Sequence, residues 1–194
     1  MPRLAVLASG GGSNFEALAR AVEPTDHECV LLVCDRAEAG AFGRAARLGV
    51  PARLVRYDLR PRREAEAEIV TLLDEFGADL VALAGFLRIL SPGFVRLRAG
   101  RILNVHPSLL PDYPGLDALR RAWDAREEVY GATVHLVDEG LDSGPVLRRA
   151  SLRRLPGESF AELEARIHAL EHTIYREAVL SMLDGLSRGG GVGS

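Results

Sequence analysis

Arg3-Leu4-Ala5-Val6-Leu7-Ala8-Ser9-Gly10-Gly11-Gly12-Ser13-Asn14-Phe15 is the stretch from which the fold can be read. Residues 3–8 form an almost continuous apolar run of the kind found in strands buried on both faces. Three successive glycines follow, and a helix is expected over 15–21. Glycines let main-chain N–H groups come close to an anion, and the helix N-terminus adds positive partial charge, so a phosphate is the natural guest. Ser13 and Glu16 have the spacing of a capping box, with Ser13 as the expected N-cap. A dinucleotide fingerprint begins at Gly10 and Gly12, and Asp35 falls where a ribose-binding acid would sit, but Phe15 occupies the third glycine position and counts against NAD. A P-loop is excluded because the chain contains no Lys.

Outward from this stretch, apolar runs alternate with helical spacings. Strands are expected over 28–34, 52–56 and 79–84, separated by helices over 40–48 and 61–76, the second opened by Pro61. That alternation indicates a parallel sheet with helices packed on it. The run 79–84 is nearly all apolar and therefore central. It leads into Gly85-Phe86-Leu87-Arg88-Ile89-Leu90, which is more apolar than a surface loop needs. In an open α/β sheet this segment lies at the carboxyl ends of the strands, where ligands collect, and it suits a planar apolar ligand better than a sugar. Arg62 and Arg63 open the helix before it, readable as solvated surface groups or as ligand contacts. Cys29 and Cys34 are five apart in an apolar strand. Strict alternation puts them on opposite faces, and their spacing fits neither a zinc knuckle nor a C-x-x-C pair.

The composition bounds what such a sheet can do. At 194 residues, 47% hydrophobic and 26% charged, the chain is large enough for one core. A single domain is expected over 1–186, with a Gly-rich flexible tail over 187–194. The formal net charge of -3 gives no basic footprint for nucleic acid. No secretory signal or membrane-length apolar run is read, so a cytoplasmic protein without a membrane partner is expected. Small molecules are the expected ligands, and the sequence is compatible with a monomer or a homodimer.

The second chemical stretch is Arg101-Ile102-Leu103-Asn104-Val105-His106-Pro107-Ser108-Leu109-Leu110-Pro111-Asp112-Tyr113-Pro114-Gly115. A short strand over 102–105 runs into a loop stiffened by prolines. If the period of two holds through His106, Asn104 and His106 project to the same side, one able to donate to an oxygen and the other able to move a proton. The chain has no Gln and only two Asn, at 14 and 104, each inside a stretch that looks chemical on other grounds.

A helix over 116–125 and strands over 132–137 and 146–152 are expected next. Between those strands lies Asp138-Glu139-Gly140-Leu141-Asp142-Ser143-Gly144-Pro145. This is either an acidic turn or the source of a carboxylate for His106, which would raise the imidazole pKa and make it a general acid near neutrality. A helix over 158–183 closes the fold. Within it His168-Ala169-Leu170-Glu171-His172 matches H-x-x-E-H, but such pairs arise readily in helices and no third ligand accompanies them, so no metal is expected.

The segments 8–14, 83–90, 104–111 and 141–145, taken together and in order, closely resemble the phosphoribosylglycinamide formyltransferases, folate-dependent enzymes of purine synthesis. The resemblance implies the formyltransferase fold: a single-domain, Rossmann-like α/β architecture with an open, mostly parallel sheet and helices on both faces. It implies 10-formyltetrahydrofolate as co-substrate, no metal, and Asn104, His106 and Asp142 as catalytic residues. It further implies that Gly11, Gly12, Ser13, Asn14 and Glu171 hold the phosphorylated substrate. Folate contacts are implied for Arg63 (or Arg62), Leu87, Arg88, Ile89, Leu90, Asn104, Asp138, Glu139, Gly140 and Leu141. The segment 116–119 departs from the His-Thr-His of some members. Competing functions are a formyltetrahydrofolate hydrolase, another folate formyltransferase, or a non-catalytic nucleotide-binding module.

Overall fold

A computed structural model describes residues 1–188. Seven strands form one sheet in the order β3-β2-β1-β4-β5-β6-β7. In chain order these are β1 (Arg3–Ala8), β2 (Glu28–Cys34), β3 (Ala52–Leu54), β4 (Leu80–Leu83), β5 (Ile102–His106), β6 (Val129–Leu136) and β7 (Val146–Arg153). The first five pair in parallel, and β6 and β7 add antiparallel to the β5 edge. The expected mostly parallel α/β sheet is what forms.

Alternation along each strand sorts the core into two layers. Leu4, Val6 and Ala8 of β1, with Leu103 and Val105 of β5, pack beneath α1 (Ser13–Val22), α2 (Ala41–Leu48) and α6 (Phe160–Ser187). Ala5 and Leu7, with Val81, Leu83 and Ile102, face α3 (Arg62–Glu75) and α4 (Pro92–Leu97). A smaller cluster joins α5 (Ala118–Asp124) to Tyr130, Leu163 and Ile167. Among the described residues, no helix is long and apolar enough to cross a membrane.

Several local expectations are corrected. Cys29 and Cys34 lie in the same layer, because the β1/β2 register slips between Leu4 paired with Cys29 and Ala5 paired with Leu31. The extra residue, Val30, is a β-bulge that inverts the parity of everything beyond it. Both cysteines are free and buried, and burial pushes each thiol up to about 12. Ser13 is not the N-cap of α1. Gly12 holds that place at φ 77° with no side-chain bond, and Glu16 turns instead to Arg20 and Arg44. A Cβ on Gly12 would sit 2.6 Å from Ala41 Cβ, so the loop needs glycine both for its left-handed backbone and for its contact with α2. The capping box of this chain is Ser159 with Glu162 at the start of α6.

The sequence reading assigns no element to 91–100, yet α4 forms there on the Ser91 cap and Pro92. Strand β3 stops at Leu54, α5 begins at Ala118, and β6 starts three residues before the expected 132. Helix α6 runs to Ser187, one residue into the expected tail, and residues 189–194 of that tail lie outside the described residues.

Candidate active site

The parallel strands β1, β2, β4 and β5 deliver their carboxyl ends to one edge of the sheet. The glycine loop leaves β1 there, Asp35 follows β2, residues 85–90 leave β4, and His106 ends β5. One strand separates β1 from β5, so the glycine loop and His106 lie about 10 Å apart laterally.

Asn104 and His106 project from β5 on the α3/α4 face, because Leu103 and Val105 take the other. Their antiparallel partners on β6 are His135 and Thr133. Asp142, at φ 51° in the loop after β6, closes the group. Its Oδ2 accepts from Gly115 N at 2.8 Å and stands 3.5 Å from His106 Nδ1. Its Oδ1 stands 3.4 Å from Asn104 Nδ2 and 3.6 Å from His135 Nε2. The amide, imidazole and carboxylate expected from separate segments are therefore brought together.

Electrostatics here depart from the expectation. Burial lowers the His106 pKa below its ordinary 6.5, outweighing the Tyr113 carbonyl and Asp142, which both favour the imidazolium. His106 Nε2 donates to Tyr113 O at 2.8 Å while Nδ1 faces a carboxylate. Only the doubly protonated ring satisfies both acceptors, and burial makes that ring costly. Burial thus disfavours the imidazolium even though the groups around His106 welcome a proton. Asp142 is held down at about 2, first by His135 and then by the Gly115 N–H, with the nearby His106 also favouring its charge.

His135 went unnoticed in the sequence. Its Nδ1 donates to Leu136 O at 2.9 Å, and its Nε2 stands 3.3 Å from Asn104 Nδ2 and 3.6 Å from Asp142 Oδ1. Asn104 Nδ2 is therefore engaged only by long contacts, to His135 and Asp142. Such bonds exchange readily for a stronger acceptor. The available signal was the period of two in β6, which puts Thr133 and His135 on one face, but the cross-strand register is not written in the sequence.

At the glycine loop, Asn14 Nδ2 donates to Glu171 Oε2 at 3.0 Å, bringing α1 and α6 together. Burial raises the Glu171 pKa, against the Asn14 bond. Asn14 Oδ1 is buried without a partner and is an acceptor open to a ligand O–H or N–H. Gly11 is exposed. Its carbonyl accepts from Arg44 Nε at 2.7 Å, so α2 supplies a cation beside the anion cradle that the sequence reading does not name. Of the H-x-x-E-H residues, Glu171 accepts from Asn14 and His168 is exposed.

The remaining ligand candidates fall on two loops. Leu87, Ile89 and Leu141 are exposed at 54%, 69% and 55%, an arrangement that costs solvation unless a ligand covers it. Leu90 packs into the core with Phe94, so it can offer a ligand only its backbone. Arg88 is held by Asp35 at 2.6 Å. In the acidic loop, Asp138 Oδ1 accepts from Gly140 N at 3.0 Å and Ser143 Oγ at 2.9 Å, so it shapes the loop, while Glu139 pairs with Arg96. Arg62 leans on Glu66 at 3.4 Å, whereas Arg63 is exposed on the first turn of α3.

Residues 2–179 match the formyl transferase family model. The chain is 38% identical to the phosphoribosylglycinamide formyltransferase of Bacillus subtilis (strain 168), covering 97% of this chain and 98% of that protein. It is 39% identical to the trifunctional purine biosynthetic protein adenosine-3 of Drosophila pseudoobscura pseudoobscura, where 96% of this chain spans 14% of the longer protein. The solved structure of glycinamide ribonucleotide transformylase 1 from Symbiobacterium toebii superposes with a TM-score of 0.91 at 38% identity, covering 95% of this chain and 89% of that one.

Proposed function

The chain belongs to the formyl transferase family, and we propose that it moves the formyl group of 10-formyltetrahydrofolate onto the amine of 5-phosphoribosylglycinamide. The observation that carries this reading is the meeting of Asn104, His106 and Asp142 at the same sheet edge as a glycine loop with an open anion cradle. A non-catalytic nucleotide module would leave that group without work.

In the proposed reaction the substrate amine attacks the formyl carbon. A C–N bond forms as the carbonyl π bond becomes an oxyanion. Asn104 gives up one of its long contacts to donate to that oxygen, an interaction whose loss typically costs about 3 kcal/mol in the barrier. Negative charge growing beside His106 raises the proton affinity of a ring that burial had kept neutral. His106, with Asp142 alongside, takes the proton shed by the amine and returns it to N10 as the C–N10 bond breaks, releasing tetrahydrofolate and the formylated amine. The glycine loop, Ser13 and Asn14 would hold the phosphate and sugar, and Leu87, Ile89 and Leu141 would cover the folate ring.

The test is to mix the protein with 10-formyltetrahydrofolate and follow folate absorbance with and without phosphoribosylglycinamide. Acceptor-dependent release of tetrahydrofolate with formylated product supports the reading. Release that ignores the acceptor indicates a hydrolase, and no release indicates a binding module.

A further inference from the structure

Asp35 directly follows β2, at the place where nucleotide-binding α/β sheets put an acid for a ribose. Here that use is closed, because Phe15, at the position of the third fingerprint glycine, is fully buried in the core. The carboxylate is instead turned inward: the Asp35 side chain is 0% exposed and Oδ2 accepts from Arg88 Nε at 2.6 Å, while Oδ1 has no protein partner. A buried acid with one cationic partner and one empty oxygen is a poor way to stabilise a fold, since its desolvation offsets most of the attraction.

Its geometry fits another purpose. The Arg88 guanidinium lies 5.2 Å over the Tyr57 ring, and Tyr57 meets Phe86 edge-on at 6.1 Å, so the residues on both sides of Leu87 are fixed. Leu87 N donates to Ser9 Oγ at 2.9 Å, and at the far end Ser91 N donates to Glu66 Oε1 at 2.8 Å. Between those two ties Arg88 reaches into the sheet to Asp35 and Leu90 packs into the core, while Leu87 and Ile89 stand out toward solvent.

We propose that Asp35 is a positioning residue for the formylfolate site: by anchoring Arg88 it sets the segment 85–90 so that Leu87 and Ile89 present an apolar surface to the folate ring. The proposal rests on the functional reading above. Asp35 touches no substrate, and its effect passes wholly through Arg88.

The experiment measures both KM values and kcat for the wild type, Asp35→Ala, Asp35→Asn, Arg88→Met and the double variant Asp35→Ala/Arg88→Met, with binding of a non-reactive folate analogue read separately by calorimetry. Asp35→Ala is expected to raise the folate KM and weaken analogue binding by about tenfold, with kcat and the phosphoribosylglycinamide KM within about twofold. Asp35→Asn keeps an acceptor for Arg88 Nε and is expected within about threefold of wild type. The double variant is expected to match Arg88→Met alone, because a residue acting through another adds nothing once that other is gone. Unchanged folate binding in Asp35→Ala, an equal rise in both KM values, or additive effects in the double variant would overturn the proposal. If Asp35→Ala does not fold, Asp35→Leu, which removes the acceptor at nearly the same volume, takes its place alone and combined with Arg88→Met, and is read in the same way. A wild type that binds the analogue while the variants bind it equally sinks this inference alone; a wild type that binds no analogue sinks the functional reading and this inference with it.

Discussion

His106 presents Nδ1 to Asp142 Oδ2 at 3.5 Å, across a loop that Gly115 N pins to the same oxygen at 2.8 Å. The carboxylate is the one nearby group that can hold negative charge against the ring through a full proton-transfer cycle. Asp142→Asn keeps the size and the Gly115 bond and removes that charge. It is expected to lower kcat by about a hundredfold or more while both KM values stay within severalfold, measured by steady-state kinetics. Turnover near that of the wild type would exclude Asp142 from the proton path.

The same pair fixes the sign of the pH dependence. His106 has a folded pKa below its ordinary 6.5 because burial disfavours the charged ring. Between the two values the unfolded chain binds more protons, so this stabilisation is complete above pH 6.5 and drains away as pH falls toward the folded value. Asp142, lowered to about 2 from 3.8, contributes stability that is full above pH 3.8 and lost as pH falls through about 2. With neutral His106 as the base, the acid limb of kcat/KM is expected below pH 6.5. A limb above neutrality, or an NMR titration of His106 above 6.5, would contradict the neutral ring.

Gly144 carries the backbone that aims Asp142. A Cβ there would lie 1.9 Å from Leu136 O and 3.3 Å from Asp138 N, both main-chain atoms that cannot swing aside. Gly144→Ala is therefore expected to push the acidic loop off β6. A stability loss of about 1–3 kcal/mol is expected in chemical unfolding, together with a fall in kcat larger than that of any exposed alanine substitution in the same loop. An unshifted unfolding midpoint would mean that the loop accommodates the methyl group.

Much of this was legible in the sequence because the relevant signal is local. The β1 run, the glycines and the alternation of strand and helix need only neighbouring residues to be recognised, and Asn104 and His106 share a face by simple parity. What stayed hidden depends on partners distant in the chain. The bulge at Val30 flips Cys34 through a register that only β1 can set. The six residues of α4 are too few for helical periodicity to show. His135 enters through its pairing with Asn104. Burial, which no motif encodes, turns the His106 pKa downward rather than upward.

Glu171 reaches the glycine loop only through Asn14, whose Nδ2 it accepts at 3.0 Å. Glu171→Ala frees that amide to rotate and removes an acceptor beside the sugar site. The KM for phosphoribosylglycinamide is expected to rise by about tenfold or more while the folate KM holds. Glu171→Gln can still accept from Asn14 and is expected to recover most of the loss. Equal shifts in both substrates would place Glu171 in the fold rather than in the site.

Tyr175 ties the closing helix to the catalytic strand. Its hydroxyl, on a side chain with 0% exposure, lies 3.0 Å from both Leu83 O, the last residue of β4 before the 85–90 segment, and Leu103 O, the residue of β5 next to Asn104. One proton serves two carbonyls, so removing it leaves two buried acceptors short. Burial also raises the phenol pKa well above 10.0, so this donor stays protonated at any working pH. Tyr175→Phe fits the same space and is expected to cost about 1–3 kcal/mol in urea unfolding. The loosened end of β4 and the loosened β5 backbone beside Asn104 should also raise the folate KM at nearly constant kcat. Full stability in the variant would show that water or a backbone adjustment satisfies both carbonyls without the hydroxyl.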